Sequence, residues 1–169
     1  MSLINNFQEN RLRRIGNDPH YRPVVDAVKA AQHDGVASDQ VLETALRATR
    51  DQYVKEGRKL DPEQVRTDAY MAASVASVES PYQMSDLPEG TDKSKHFLVS
   101  AEISSHIDQG LEAVKVVPEP ARKAIAVGVT TGIGFFKEVL DLFTTGFNRQ
   151  DLKADVQGAK APYSKPALG

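Results

Sequence analysis

The residues of this chain that could move a proton or hold a cation gather in its last third. His96 is followed by Glu138 and Asp141, three apart, and by Asp151 and Asp155, four apart. Residues at those spacings share one face of a helix, so three helices could present an imidazole and several acids to a common polar pocket. A carboxylate beside another carboxylate holds its proton more tightly, and an imidazole exchanges protons near neutral pH, which is what general acid-base hydrolysis requires. On that reading the catalytic set is Glu138 as acid or base, Asp141 as its electrostatic partner and His96 as proton carrier. Asp151 and Asp155, with Asp92 and Lys93 of the run Asp92-Lys-Ser-Lys-His96-Phe97, bind or orient the substrate. One His among several carboxylates also suits a divalent metal, but no Glu-x-x-His or His-x-x-x-His pair occurs, so no metal site is assigned and no cofactor is specified.

Each of these residues has a plainer reading. Asp92 can be a helix N-cap, Asp151 can favour the positive end of a helix, and His96 can be a core histidine. Taken together they then form a buried polar network that fixes helix register. The remaining histidines, His20, His33 and His106, have no partner at helical spacing.

The elements that must position these groups read as helices. Pro23 suits a first helical turn, and Val24, Ala27, Val28 and Ala31 repeat at helical spacing as far as Gly35. Ser38 or Asp39 can cap the next helix, with Val41, Leu42, Ala45, Leu46 and Tyr53 inward and Gly57 as its stop. Asp61-Pro62-Glu63-Gln64 is a strong start signal for a third, whose Val65, Ala69, Ala72, Ala73 and Ala76 allow close packing. After the proline-broken stretch 81–91, a helix from Thr91 or Asp92 to about Val117 should face inward through Val99, Ile103, Ile107, Leu111 and Val114. A central apolar helix, 121–145, carries Ala124, Gly128 and Gly132 along one side, which predicts a close helix crossing there. A short last helix runs from Arg149 to Gly158. No segment alternates apolar and polar residues over a strand's length, so the expected class is all-α, a compact domain of about six helices.

The expected organisation is an N-terminal arm (1–20), an N-terminal helical half (21–80), a linker loop (81–91), a C-terminal helical half with the His/carboxylate cluster (92–159) and a disordered tail (160–169). At 169 residues the chain can bury one sizeable core. Its net charge of −2 gives no general footprint for nucleic acid, so no nucleic-acid partner is expected. Without cysteine there are no disulfides, thiolate ligands or cysteine nucleophiles. The polar start, with Asn5, Asn6, Gln8, Glu9 and Asn10, does not encode a signal peptide. The expectation is a cytoplasmic protein, or one exported to the envelope or outside by a non-classical route. Ala124 to Phe136 is thirteen residues without a charge, short of the roughly 20 needed to span a bilayer, so burial is expected and peripheral membrane contact is the lesser alternative.

Three motifs in order carry a family resemblance. They are Asp92-Lys93-x-x-His96-Phe97, Lys137-Glu138-x-x-Asp141, and Gly146-Phe147-x-x-x-Asp151-Leu152-x-x-Asp155-x-x-Gly158-Ala159. Over residues 92–160 this set resembles the YfiM-like lipoproteins and, more distantly, the VanZ-like membrane proteins. The resemblance implies a bacterial envelope-associated protein with no established reaction, and it places His96, Glu138, Asp141, Asp151 and Asp155 at the family's polar positions. This chain departs from it in lacking a lipoprotein signal. The functional expectation is therefore a hydrolase of a cell-wall or lipid-linked substrate. The alternatives are a non-enzymatic binding or scaffold module that meets a protein partner through residues 21–80, or a membrane-active protein using helix 121–145.

Overall fold

The computed structural model describes residues 11–33, 35–114, 117–142 and 149–164, without the side chains of 114 and 135–142. The described residues are all-helical, as expected, and contain no strand. Residues 11–16 are helical (α1); α2 (Arg22–Ala31), α3 (Ser38–Lys55), α4 (Pro62–Glu79), α5 (Thr91–Val114), α6 (Glu119–Leu142) and α7 (Arg149–Lys160) follow, and a 3-10 turn spans Ala161–Tyr163.

Local chemistry accounts for most boundaries. Asp61 caps α4 by accepting from the backbone N–H of Glu63 at 3.0 Å and of Gln64 at 3.3 Å, with Pro62 behind it. Gly35 (φ 90°) and Gly57 (φ 67°) take left-handed backbone after α2 and α3, where a side chain would be strained. The start of α3 is capped from a distance: Asp86 of the 81–91 segment accepts from Ser38 N at 2.8 Å and from the Ser38 hydroxyl.

One hydrophobic core runs through both halves of the chain. Val24, Val25 and Val28 of α2, Val41 and Ala45 of α3 and the small residues of α4 pack with Phe97, Leu98 and Ala101 of α5. Leu12, expected within a loosely held arm, is 2% exposed in this core, and Met84 and Leu87 pin the expected linker to it. The tail expectation also changes for its first residues: Lys160 closes α7, Pro162 is buried and accepts a hydrogen bond from Arg66, and only 165–169 lie outside the described residues.

Two faces differ from the sequence reading. On α5 the residues expected inward, Val99, Ile103, Ile107 and Leu111, are only half-buried, while Ser94, Leu98, Ala101, Glu102, Ser105 and Asp108 are buried. The helix is sandwiched between α4, α6 and α7, so polar residues on several sides are enclosed and paired, and a single apolar stripe does not set its orientation. On α6 the Ala124–Gly128–Gly132 line makes no crossing. A Cβ added to Gly128 or Gly132 would meet nothing within 4 Å. The face that packs is two positions further on, Ala126, Thr130 and Gly134, and this leaves Ile125, Val129 and Ile133 exposed at 41%, 46% and 47%.

Candidate functional site

The α5–α7 contact assembles most of the polar constellation. Lys93, His96 and Ser100 stand three and four residues apart and share one face of α5, while Asp151 and Asp155 share one face of α7. The Lys93 ammonium donates to Asp151 and, at 2.5 Å, to Asp92 Oδ2. His96 Nδ1 lies 3.0 Å from Asp155 Oδ1, to which the Ser100 hydroxyl also donates at 2.9 Å, and His96 Nε2 lies 3.7 Å from Asp151 Oδ2. Burial opposes the charge on Lys93, but the hydrogen bonds to Asp151 and Asp92 outweigh it and hold the ammonium's pKa above its usual range. Burial likewise opposes ionisation of Asp92, and Lys93 overcomes it, drawing that carboxyl below the usual range.

Most of the network is buried, although Asp92 is exposed and His96 half-buried. Lys93 is 4% exposed, Asp155 4% and Asp151 8%. Two glycines close the helices around it. A Cβ on Gly158 would stand 2.0 Å from the Phe97 carbonyl oxygen, and one on Gly134 would stand 2.6 Å from Asp155 Oδ2. That Oδ2 is buried and has no hydrogen-bond partner among the described residues. Gly134 thus marks where α6 meets the cluster. Glu138 and Asp141 occupy helical positions four and seven residues beyond it, and their side chains lie outside the described residues. Among the described residues no group of His, Asp and Glu is arranged to hold a metal ion.

A second polar centre was invisible to spacing arguments because its members come from four segments. Buried Asp68 of α4 accepts from the Tyr53 hydroxyl, from the Tyr21 hydroxyl at 3.0 Å and from Gln64 Nε2 at 2.9 Å. His20, read as unpartnered, approaches Asp68 at 3.5 Å and Glu56 at 2.8 Å, and the Arg58 guanidinium lies 4.0 Å over the Tyr53 ring. Burial first, then Asp68, raises the pKa of both phenols. Contrary to the sequence reading, His106 has a partner at helical spacing: the buried Glu102, four residues before it, lies at 3.5 Å and also meets Arg11 at 2.8 Å.

The large opening in the molecule is elsewhere. A cavity of about 850 Å³ lies between α3, α4 and α7, within the roughly 300–1,000 Å³ range of small-molecule sites. Its apolar lining includes Leu42, Leu46, Leu60, Val65, Tyr70 and Phe97, and charged residues such as Arg50, Arg66 and Lys160 stand among them. Burial pushes the Tyr70 phenol up to about 12. The sequence stripe on α3 included Leu42 and Leu46, but nothing in it marked them as walls of a cavity. That depends on how far α7 stands from α3.

The fold and site therefore define an all-α protein with a largely buried polar network between α5 and α7 and a separate, mostly apolar cavity. No family model, no curated protein and no solved structure matches the chain.

Proposed function

We propose that this chain is a non-enzymatic binding module, in which the His96 network holds helix register and the cavity between α3, α4 and α7 is the recognition surface. The observation that carries this reading is the use of the acids. Asp151 is taken by Lys93, Asp155 by His96 and Ser100, and both acids are buried between α5 and α7, whereas hydrolysis would need them to face a substrate-sized space. The cavity has what a ligand site needs, an apolar interior with a few polar groups at set points. It also falls largely within residues 21–80, the half that the alternative sequence reading gave to a protein partner.

Titration of the protein with an apolar fluorescent dye tests this. Wild type binds it saturably at one site, and Leu46→Glu, which puts a charge in the cavity wall, abolishes that binding while the helical circular dichroism persists. Equal binding by both proteins overturns the proposal.

A second reading, peripheral membrane contact, draws support from the exposed Ile125, Val129 and Ile133 on one side of α6. No described helix is long and apolar enough to cross a membrane, so such contact would be along the surface. Sedimentation with lipid vesicles, lost on Val129→Lys, is the outcome that supports it, and absence of wild-type binding rejects it.

A further inference from the structure

Resting on the binding-module reading, we infer that the cavity between α3, α4 and α7 takes a long-chain aliphatic carboxylate, with its chain among the leucines and its head at Arg50, Arg66 and Gln157. The cavity's lining suits an alkyl chain. Val65, Tyr70 and Phe97 are buried side chains that nonetheless border the cavity, and Leu60, at 44% exposure, is a large apolar residue left in contact with solvent beside it. An aliphatic chain lying there removes the exposed apolar surface of Leu60 from water.

Polar groups at the cavity are incompletely satisfied: among the described residues, Arg66 Nε and Gln157 Oε1 are both buried without a hydrogen-bond partner, and both residues line the cavity. Buried donors and acceptors are normally satisfied, so two orphans at one cavity point to a polar group supplied from outside. The oxygen and nitrogen of a glutamine amide exchange places by a half-turn, so Gln157 can offer its NH₂ to an acceptor. Arg50, half-buried on the same wall, forms no ion pair among the described residues. Arg66 is already matched by Glu63 and Asp108, so Arg50 and the more exposed Lys160 are the lining cations left to balance an anionic head.

The charge balance also limits the head group. Asp39, Glu43 and Glu63 line the same cavity and repel any anionic head, a doubly charged phosphate about twice as strongly as a singly charged carboxylate. A planar carboxylate also fits the forked donors of a guanidinium.

The test is calorimetric titration of the full chain with palmitate and, in parallel, with the neutral hexadecanol. Wild type is expected to bind palmitate one to one and more tightly than hexadecanol. Arg50→Gln should weaken palmitate by about tenfold and leave hexadecanol unchanged, since only the carboxylate uses the charge-assisted bond. Leu46→Glu should abolish both. If hexadecanol binds as well as palmitate, or Arg50→Gln weakens both equally, carboxylate recognition is wrong and the binding-module reading stands. If neither probe binds, the cavity belongs to another occupant, such as a peptide, and this inference fails together with its role as a small-molecule site.

Discussion

Gly158 of α7 lies so close to Phe97 of α5 that a Cβ at 158 would stand 2.0 Å from the Phe97 carbonyl oxygen. That contact sets both functional regions at once. It brings Asp155, one turn before Gly158, onto His96, and it turns Phe97 to the cavity on the other side. Backbone cannot yield as a flexible side chain can, so Gly158→Ala must push α7 away and should cost at least the roughly 1–3 kcal/mol typical of overpacking. Gly128→Ala is the contrast. With open space at its Cβ, it should stabilise the protein by up to about 1 kcal/mol through helix propensity. Urea denaturation of the two variants checks the opposite signs.

The Lys93–Asp151 pair behaves as a buried ion pair. Lys93→Met strands a carboxylate at 8% exposure and should cost about 3–5 kcal/mol, as breaking a buried pair from one side does. Replacing both, Lys93→Met with Asp151→Leu, should cost much less than the two single changes added together. A double-mutant cycle by denaturation reads the difference, and simple additivity would mean the two groups are not coupled.

Acid stability should depend on Glu79, which accepts from Arg22 at 2.9 and 3.0 Å and from Lys29 at 2.9 Å, joining α4 to α2. The Arg22 hydrogen bonds, opposed by partial burial and helped by Lys29, hold its carboxyl below the usual glutamate range. A carboxyl depressed in the folded state contributes stability that is complete above its unfolded pKa and is lost as pH falls through the folded one. Arg22→Gln should therefore lower the melting temperature at neutral pH and flatten its decline in acid, as melting curves across that range will show.

Asp68 depends on its phenols. Tyr21→Phe or Tyr53→Phe removes one donor to a carboxylate that is 1% exposed, and each should cost about 1.5–3 kcal/mol, the scale of hydrogen bonds to charged groups. Both raised phenol pKa values also work in the alkaline direction: the unfolded chain ionises its tyrosines first, so stability falls as pH rises past the ordinary tyrosine range. Absorbance titration of tyrosinate in the wild type and in each variant separates the two residues.

Element identities and caps were largely legible because they are local. Asp61-Pro62 and Gly57 act within a few residues of the ends they set. That His96 meets the acids of α7 was legible from the i, i+4 spacing of Asp151 and Asp155, but its particular pairing with Asp155 was not, and the stripe that pointed His96 inward is only half-buried. The packing face of α6 was not. Glycine spacing at Ala124, Gly128 and Gly132 allows a close approach but does not compel one, and the partner surface on α7 selected Gly134 instead. Ser100, one turn after His96, could have been added from helical register alone. The Asp68 centre and the cavity could not, because both depend on distances between segments that no single stretch encodes.

The central claim is that the His96 network is a clamp and the cavity is where ligand binds, and amide chemical shifts of the full chain titrated with palmitate test it most directly. The account expects the largest movements at Leu42, Leu46, Arg50 and Gln157, with Lys93 and Asp151 unmoved. Movements centred on Lys93, His96 and Asp151, with the cavity residues still, would contradict it.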